Sequence, residues 1–221
     1  MLTEKELDLV TIELETVNLD SDVYRQKTKW GIEIVYYMLD LMLIERGIIE
    51  PLHFYEDDFD SYFGERNRKE LFERVLDNTV NIFQIRGMSF AEYLKIMERE
   101  PINEDQRMVI RALIDKMESL DKEHQPFCIT GTLGIRAAVG AFSTKVLEQT
   151  CRRFGMDGLI IGVCNNDFAL AYQDLPENLT TLKRLMKPYE KLLTGSKDIR
   201  GKVILKYDAY KGTLDSLKEN A

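Results

Sequence analysis

The stretch from Phe127 to Gln173, FCITGTLGIRAAVGAFSTKVLEQTCRRFGMDGLIIGVCNNDFALAYQ, constrains the fold more than any other. It holds most of the apolar, low-charge sequence of the chain, and strand-like runs alternate in it with one amphipathic helix. Leu159–Cys164 and Phe168–Tyr172 are apolar runs separated by Asn165, Asn166 and Asp167. Asparagine and aspartate tolerate positive φ, so the two runs predict a β-hairpin. Ser143 stands at a helix start and Gly155 at its stop. Phe127–Thr130 predicts a short strand and Ile135–Phe142 a second one, rich in small residues. The stretch should therefore form the central sheet and carry the functional surface.

Beyond it, Pro176 opens a helix that ends near Leu193, with Leu179, Leu182, Leu185 and Met186 inward, and Val203–Tyr207 reads as a last strand. Upstream, residues 1–19 fit two patterns. Val10, Leu14 and Val17 suit a helix face; Val10, Ile12 and Leu14 suit a strand face with Glu13 and Glu15 opposite. The Thr3/Glu6 capping-box pair favours the helix. Residues 30–46 also predict a helix by length, although their Ile, Val and Tyr content suits a strand. Ile48–Tyr55 reads as a short extended piece. Helices follow at Phe59–Phe63, about 67–83, 89–99 from a serine cap, and about 104–120 from Asn103. The expectation is an α+β fold: a mainly helical region, 1–125, packed on an α+β sheet region, 126–221, in one compact unit. The sheet should be mixed or antiparallel, with β-β-α-β-β-α-β order.

A net charge of −8 over 221 residues opposes a broad nucleic-acid face, which needs clustered positive charge. The three cysteines, Cys128, Cys151 and Cys164, are odd in number and form no CxxC, so no disulfide framework is expected. Met1–Leu7 lacks the apolar core of a signal peptide. The longest apolar run, Ile34–Ile44, is broken by Asp40 and falls short of the roughly 20 residues a span needs. A cytoplasmic protein with no membrane partner is expected.

No stretch reads as a catalytic or cofactor motif. Gly131, Gly134 and Gly140 fit neither GxGxxG nor GxxxxGK[ST], and turn or close-packing roles explain them better. Asn165, Asn166 and Asp167 sit at a strand end, where polar functional groups gather, but the turn already accounts for them. Glu56, Asp57, Asp58 and Asp60 lack EF-hand spacing and mark a solvated helix start. His53 and His124 stand apart from any Cys/His ligand pattern, so no metal is expected; Cys128 with His124 is close in sequence but lacks an activating environment. No cofactor is expected. Lys183, Arg184, Lys187, Lys191, Lys197, Arg200, Lys202, Lys206 and Lys211, with Tyr189, Tyr207 and Tyr210, make the C-terminal region basic.

Three segments together resemble a known family. They are PLHFYEDDFDSYFG (Pro51–Gly64), the stretch Gly134–Tyr172, and the tail VILKYDAYKGTL (Val203–Leu214). The family is a set of uncharacterised bacterial proteins catalogued as a domain of unknown function, and the resemblance covers about half the chain. It implies a cytoplasmic bacterial α+β protein from a mobile element, and supplies no activity and no catalytic residue. The chain departs from it in a shorter helical middle and in Cys164, where a proline is usual.

The reading that follows is a non-enzymatic binding or regulatory module acting on a protein partner. Its binding residues would be Lys187, Lys191, Arg200, Tyr207 and Tyr210, on a basic helix and a terminal strand whose edge is open to pairing. A homodimer stays open. One alternative is a hydrolase or transferase with its site near the 164–167 hairpin. Another is nucleic-acid binding through the C-terminal basic residues.

Overall fold

The computed structural model describes residues 1–15, 21–39, 51–131, 136–163, 166–192 and 203–217. The chain opens on a one-turn helix, α1 (Glu4–Leu7), held by a full capping box between Thr3 and Glu6. It extends almost at once into β1 (Val10–Leu14). With β2 (Arg25–Lys27), β3 (Glu33–Leu39) and β4 (Pro51–His53), β1 forms a four-stranded sheet. β3 is its spine: β1 pairs along one side of it, β2 and β4 along the other, all antiparallel. Two helices follow, α2 (Phe59–Phe63) and α3 (Arg68–Ile82). Asn67 starts α3 by accepting from the N–H groups of Lys69 and Glu70. The apolar stripe of α3, Leu71, Val75, Leu76 and Val80, is buried, and the helix packs on β1.

The rest of the chain builds a larger sheet. β5 (Arg86–Ser89) leads into α4 (Phe90–Met97) and α5 (Glu104–Glu118), which start on capping boxes at Ser89/Glu92 and Asn103/Gln106. Then come β6 (Phe127–Thr130), a 3-10 helix (Ala138–Phe142), α6 (Thr144–Phe154), β7 (Gly158–Val163), β8 (Phe168–Gln173), α7 (Pro176–Leu192), β9 (Val203–Asp208) and β10 (Thr213–Ser216). The six strands lie in the order β10-β9-β7-β8-β6-β5, and every pairing is antiparallel. One face carries Ile129, Leu159, Ile161, Val163, Ala169 and Leu205. It joins Val10, Ile12, Leu14 and Ile34 of the small sheet and the apolar faces of α3 and α6 in the main core. The other face, with Cys128, Ile160, Leu170, Tyr172 and Ile204, takes α4, α5 and α7. Gly162 lets α7 approach closely: a Cβ there would stand 2.8 Å from Met186 Sδ.

Side chains engage backbone groups on three outer strands, β1, β10 and β5. On β1, the N–H groups of Ile12 and Leu14 donate to Thr79 Oγ1 (3.0 Å) and Asn166 Oδ1 (3.1 Å). On β10, Trp30 Nε1 donates to the Leu214 carbonyl at 3.2 Å, and on β5 Arg153 Nη1 donates to the Gly87 carbonyl at 3.2 Å. Such contacts occupy groups that would otherwise template pairing with another chain.

Several expectations need correction. The region 1–125 is not simply helical; it carries the four-stranded sheet and β5. Of the helix expected over 1–19, the described residues 1–15 form Glu4–Leu7 alone, and the strand alternative, Val10, Ile12 and Leu14 inward, is realised there; residues 16–19, with Val17, lie outside the described residues. The segment 30–46 enters β3, while residues 40–46 and Gly47 lie outside the described residues. Both errors share a cause. β1 and most of β3 are buried on both faces, so the alternation that announces a half-exposed strand is muted. In the C-terminal half, Ala138–Phe142 is a 3-10 helix rather than a strand, and β10 follows β9. The β-β-α-β-β-α-β order is therefore not the order observed.

Candidate functional site

Strand alternation sends Thr11, Glu13 and Glu15 to the face of the small sheet opposite Val10, Ile12 and Leu14. A polar face of this kind normally meets water. Here Thr11 is 0%, Glu13 3% and Glu15 1% exposed. The antiparallel register places Tyr37 opposite Thr11 and His53 opposite Tyr37. The result is a buried polar patch, and burying charge demands partners.

Glu13 is its hub. Its Oε1 lies 3.4 Å from His53 Nε2. Its Oε2 pairs with Arg136 Nε at 3.0 Å and accepts from Asn166 Nδ2 at 3.2 Å. Asn166 also accepts from Leu14 N–H through Oδ1, and its carbonyl accepts from Ala138 N–H at 3.0 Å. The β7–β8 hairpin, the segment before the 3-10 helix and β1 therefore meet at one carboxylate. Arg136 holds a left-handed backbone, φ 52°, unusual for a residue with a Cβ. Its N–H donates to Asp167 Oδ1 at 3.2 Å, and its guanidinium lies 4.9 Å from the Tyr37 ring centre. Further along the same face, Arg25 Nε meets Glu15 Oε1 at 2.5 Å.

The electrostatics follow from burial. Burial raises the pKa of Asp167 against the opposing pull of the Arg136 N–H and guanidinium. Burial pushes the Tyr37 phenol up to about 12, again opposed by Arg136. Hydrogen bonding to the Glu15 carboxyl, then burial, raises Glu33. Three buried atoms in the patch, Thr11 Oγ1, Tyr37 OH and Arg136 Nη1, have no well-formed hydrogen bond among the described residues. Thr11 and Arg136 stand close enough to the Tyr37 oxygen to lower its pKa. Their geometry with it falls short of a hydrogen bond, which leaves all three atoms unpartnered among the described residues.

Of the residues expected to bind a partner, the structure describes the side chains of Tyr207 and Tyr210. Tyr207 is 1% exposed and faces the main core from β9, which lies inside the sheet beneath β10. It offers no surface, and its strand is not an open edge. Tyr210 is 83% exposed at the β9–β10 turn, its hydroxyl donating to Asp157 Oδ1 at 2.9 Å. Lys206 and Lys211 are engaged by Asp174 and Asp208. Lys187 and Lys191 lie on α7, but their side chains, like Arg200, fall outside the described residues. So do Cys164, Asn165 and Gly134.

The hairpin residues have a different part from the one expected. Asn166 is 6% exposed and does not adopt positive φ; among the described residues only Gln84 and Arg136 do so without being glycine. Cys128 and Cys151 are buried, and burial pushes the Cys151 thiol up to about 11. His124 pairs with Asn178 at 3.1 Å. Glu56–Asp58 form a 3-10 turn leading into α2. Among the described residues no group of three His, Cys, Asp or Glu could hold a metal ion, and no helix is long and apolar enough to cross a membrane. Glu13 and Glu15 were visible in the sequence as the polar side of a possible strand. Nothing there signalled that this side is buried, or that Arg136 and His53 reach it. No protein-family model, no curated protein and no solved structure matches the chain.

Proposed function

We propose that the protein works at the polar face of the small sheet, as an acid–base centre of hydrolase or group-transfer type acting on a small molecule. The observation carrying this reading is a convergence. Paired buried charge, three unpartnered buried polar atoms and a left-handed arginine meet at Glu13, beside the 164–167 hairpin. Each is a recognised companion of functional sites. In this reading His53 moves the proton. Glu13 holds the ring through Nε2, which leaves Nδ1 as the acceptor in the neutral ring. Arg136 faces negative charge as it develops. The test is a screen of ester, amide and phosphoester substrates with the full chain, followed by His53→Gln. Turnover that falls at least a hundredfold in the variant, with the fold intact by circular dichroism, supports the assignment. Unchanged turnover in His53→Gln removes it.

A second reading, a module that binds a protein partner, is favoured by a separate observation. Met108 (55%), Val109 (59%) and Ile96 (38%) stand exposed on the α4–α5 helical pair. Larger exposed apolar patches mark interaction surfaces. Met108→Asp with Val109→Lys would abolish co-purification of such a partner without altering stability by more than about 0.5 kcal/mol. Retained co-purification would exclude this surface.

A further inference from the structure

We infer that Thr11, Tyr37 and Arg136 form a subsite for one oxyanion group, a carboxylate or phosphate oxygen of the molecule bound at the polar face. The inference rests on the acid–base reading for the site's purpose, and on the three unpartnered atoms for its chemistry. Thr11 and Tyr37 are opposed on neighbouring strands and both 0% exposed, and the Arg136 guanidinium lies over the Tyr37 ring. The groups supply two hydroxyl donors and one charged N–H, a set that a single anionic oxygen satisfies at once. A buried polar atom without a partner is costly, so three gathered about the Tyr37 oxygen call for a shared partner.

An ordered water would satisfy the two hydroxyls equally well. The guanidinium argues for an anion. Arg136 brings its charge to this place from a left-handed backbone, rare for a residue with a Cβ, whereas a water site needs no charge. The nearby carboxylate does not bar an anion. Both Glu13 oxygens are engaged, by His53 on one side and by Arg136 and Asn166 on the other. Entry is from the side where Arg136 and His53 side chains keep 16% and 15% exposure.

The test titrates the full chain with inorganic phosphate and, separately, with acetate. Each titration is matched in ionic strength with chloride and read by thermal shift and by amide chemical shifts of the Arg136 segment. At least one anion should bind saturably, and Tyr37→Phe and Thr11→Val should each weaken it about tenfold or more. A response to phosphate alone assigns a phosphoryl group; a response to acetate alone assigns a carboxylate. Arg136→Lys, which keeps the charge but loses the planar fork, should also weaken binding. If any variant misfolds by circular dichroism, the remaining ones decide the matter. Absence of saturable binding for both anions, or unchanged affinity in Tyr37→Phe and Thr11→Val, overturns the subsite. His53→Gln separates the two ideas. Saturable anion binding together with turnover that His53→Gln leaves unchanged keeps the subsite and discards the catalytic reading. Turnover dependent on His53 with no anion binding does the reverse.

Discussion

The two sheets bury their faces by different means. The large sheet is apolar on both sides, one against the main core and one against α4, α5 and α7. The small sheet is apolar toward the main core, but its other face buries Thr11, Glu13, Glu15 and Tyr37. Burial of apolar area stabilises without regard to direction, at about 25 cal/mol per Å². Burial of carboxylates does not; it requires a named partner for each oxygen, and such pairs seldom outperform well-packed hydrocarbon. The large sheet tolerates substitutions that preserve volume, whereas the small sheet depends on particular atoms.

The largest effect should come from the hub. Glu13→Ala leaves the buried Arg136 without its carboxylate and should destabilise by about 3–5 kcal/mol in urea denaturation. The double variant Glu13→Leu, Arg136→Met should recover most of that loss, because it removes both charges together. A single-variant cost below about 1 kcal/mol would mean the polar face is not held through Glu13. In the large sheet, Leu205→Ala, at a fully buried position, should cost about 2–5 kcal/mol by leaving a cavity. There no second substitution of a charged residue should rescue it. If one did, the contrast between the sheets would fail.

Asn166→Ala should cost about 1–3 kcal/mol, since it leaves the buried Leu14 N–H without an acceptor and Glu13 without one donor. Combined with Glu13→Ala the losses should not add, because the two side chains touch. Strict additivity would show that Asn166 serves only its own hairpin.

How much of this the sequence disclosed follows from the same contrast. Four strands of the large sheet are legible, Phe127–Thr130, Leu159–Cys164 as far as Val163, Phe168–Tyr172 and Val203–Tyr207, because local apolar content reports a core that is apolar on both faces; β5 and β10 are not, and Ile135–Phe142 reads as a strand where the chain forms a 3-10 helix over Ala138–Phe142. The helix starts at Ser89, Asn103 and Ser143 and the stop at Gly155 were legible too, since capping is a matter of a few adjacent residues. The small sheet was not. Its polar face is assembled from Glu13, His53, Arg136 and Asn166, up to 153 positions apart for the Asn166–Glu13 pair. No periodicity links residues at that distance. The same holds for Tyr207, whose tyrosine suggested a surface anchor and whose burial depends on β10 and α6. The 164–167 hairpin stands out in the sequence for its turn-forming asparagines, not for the contact Asn166 makes with β1.

The smallest effect tests the charge balance of the polar face. Asp167→Asn keeps an oxygen able to accept from the Arg136 N–H and removes the charge, with an NH2 in place of the second oxygen. Burial raises the Asp167 pKa in the folded protein above the ordinary aspartate value of 3.8. A group raised in the folded state is best tolerated when protonated. Its favourable contribution is full below 3.8 and is lost as the pH rises through the folded value, after which the burial penalty is constant. The variant carries no such penalty. At pH 7 it should therefore match or exceed the parent in stability, by less than about 1 kcal/mol given the compensating pull of Arg136. As the pH falls to 3.8 and below, that advantage should disappear. Every other titrating group is common to both proteins, so the difference between their melting curves across pH isolates Asp167. A variant less stable than its parent at pH 7, with the gap closing on acidification, would show that Arg136 outweighs burial. The polar face would then be a stabilising ion network, and the contrast with the large sheet would narrow.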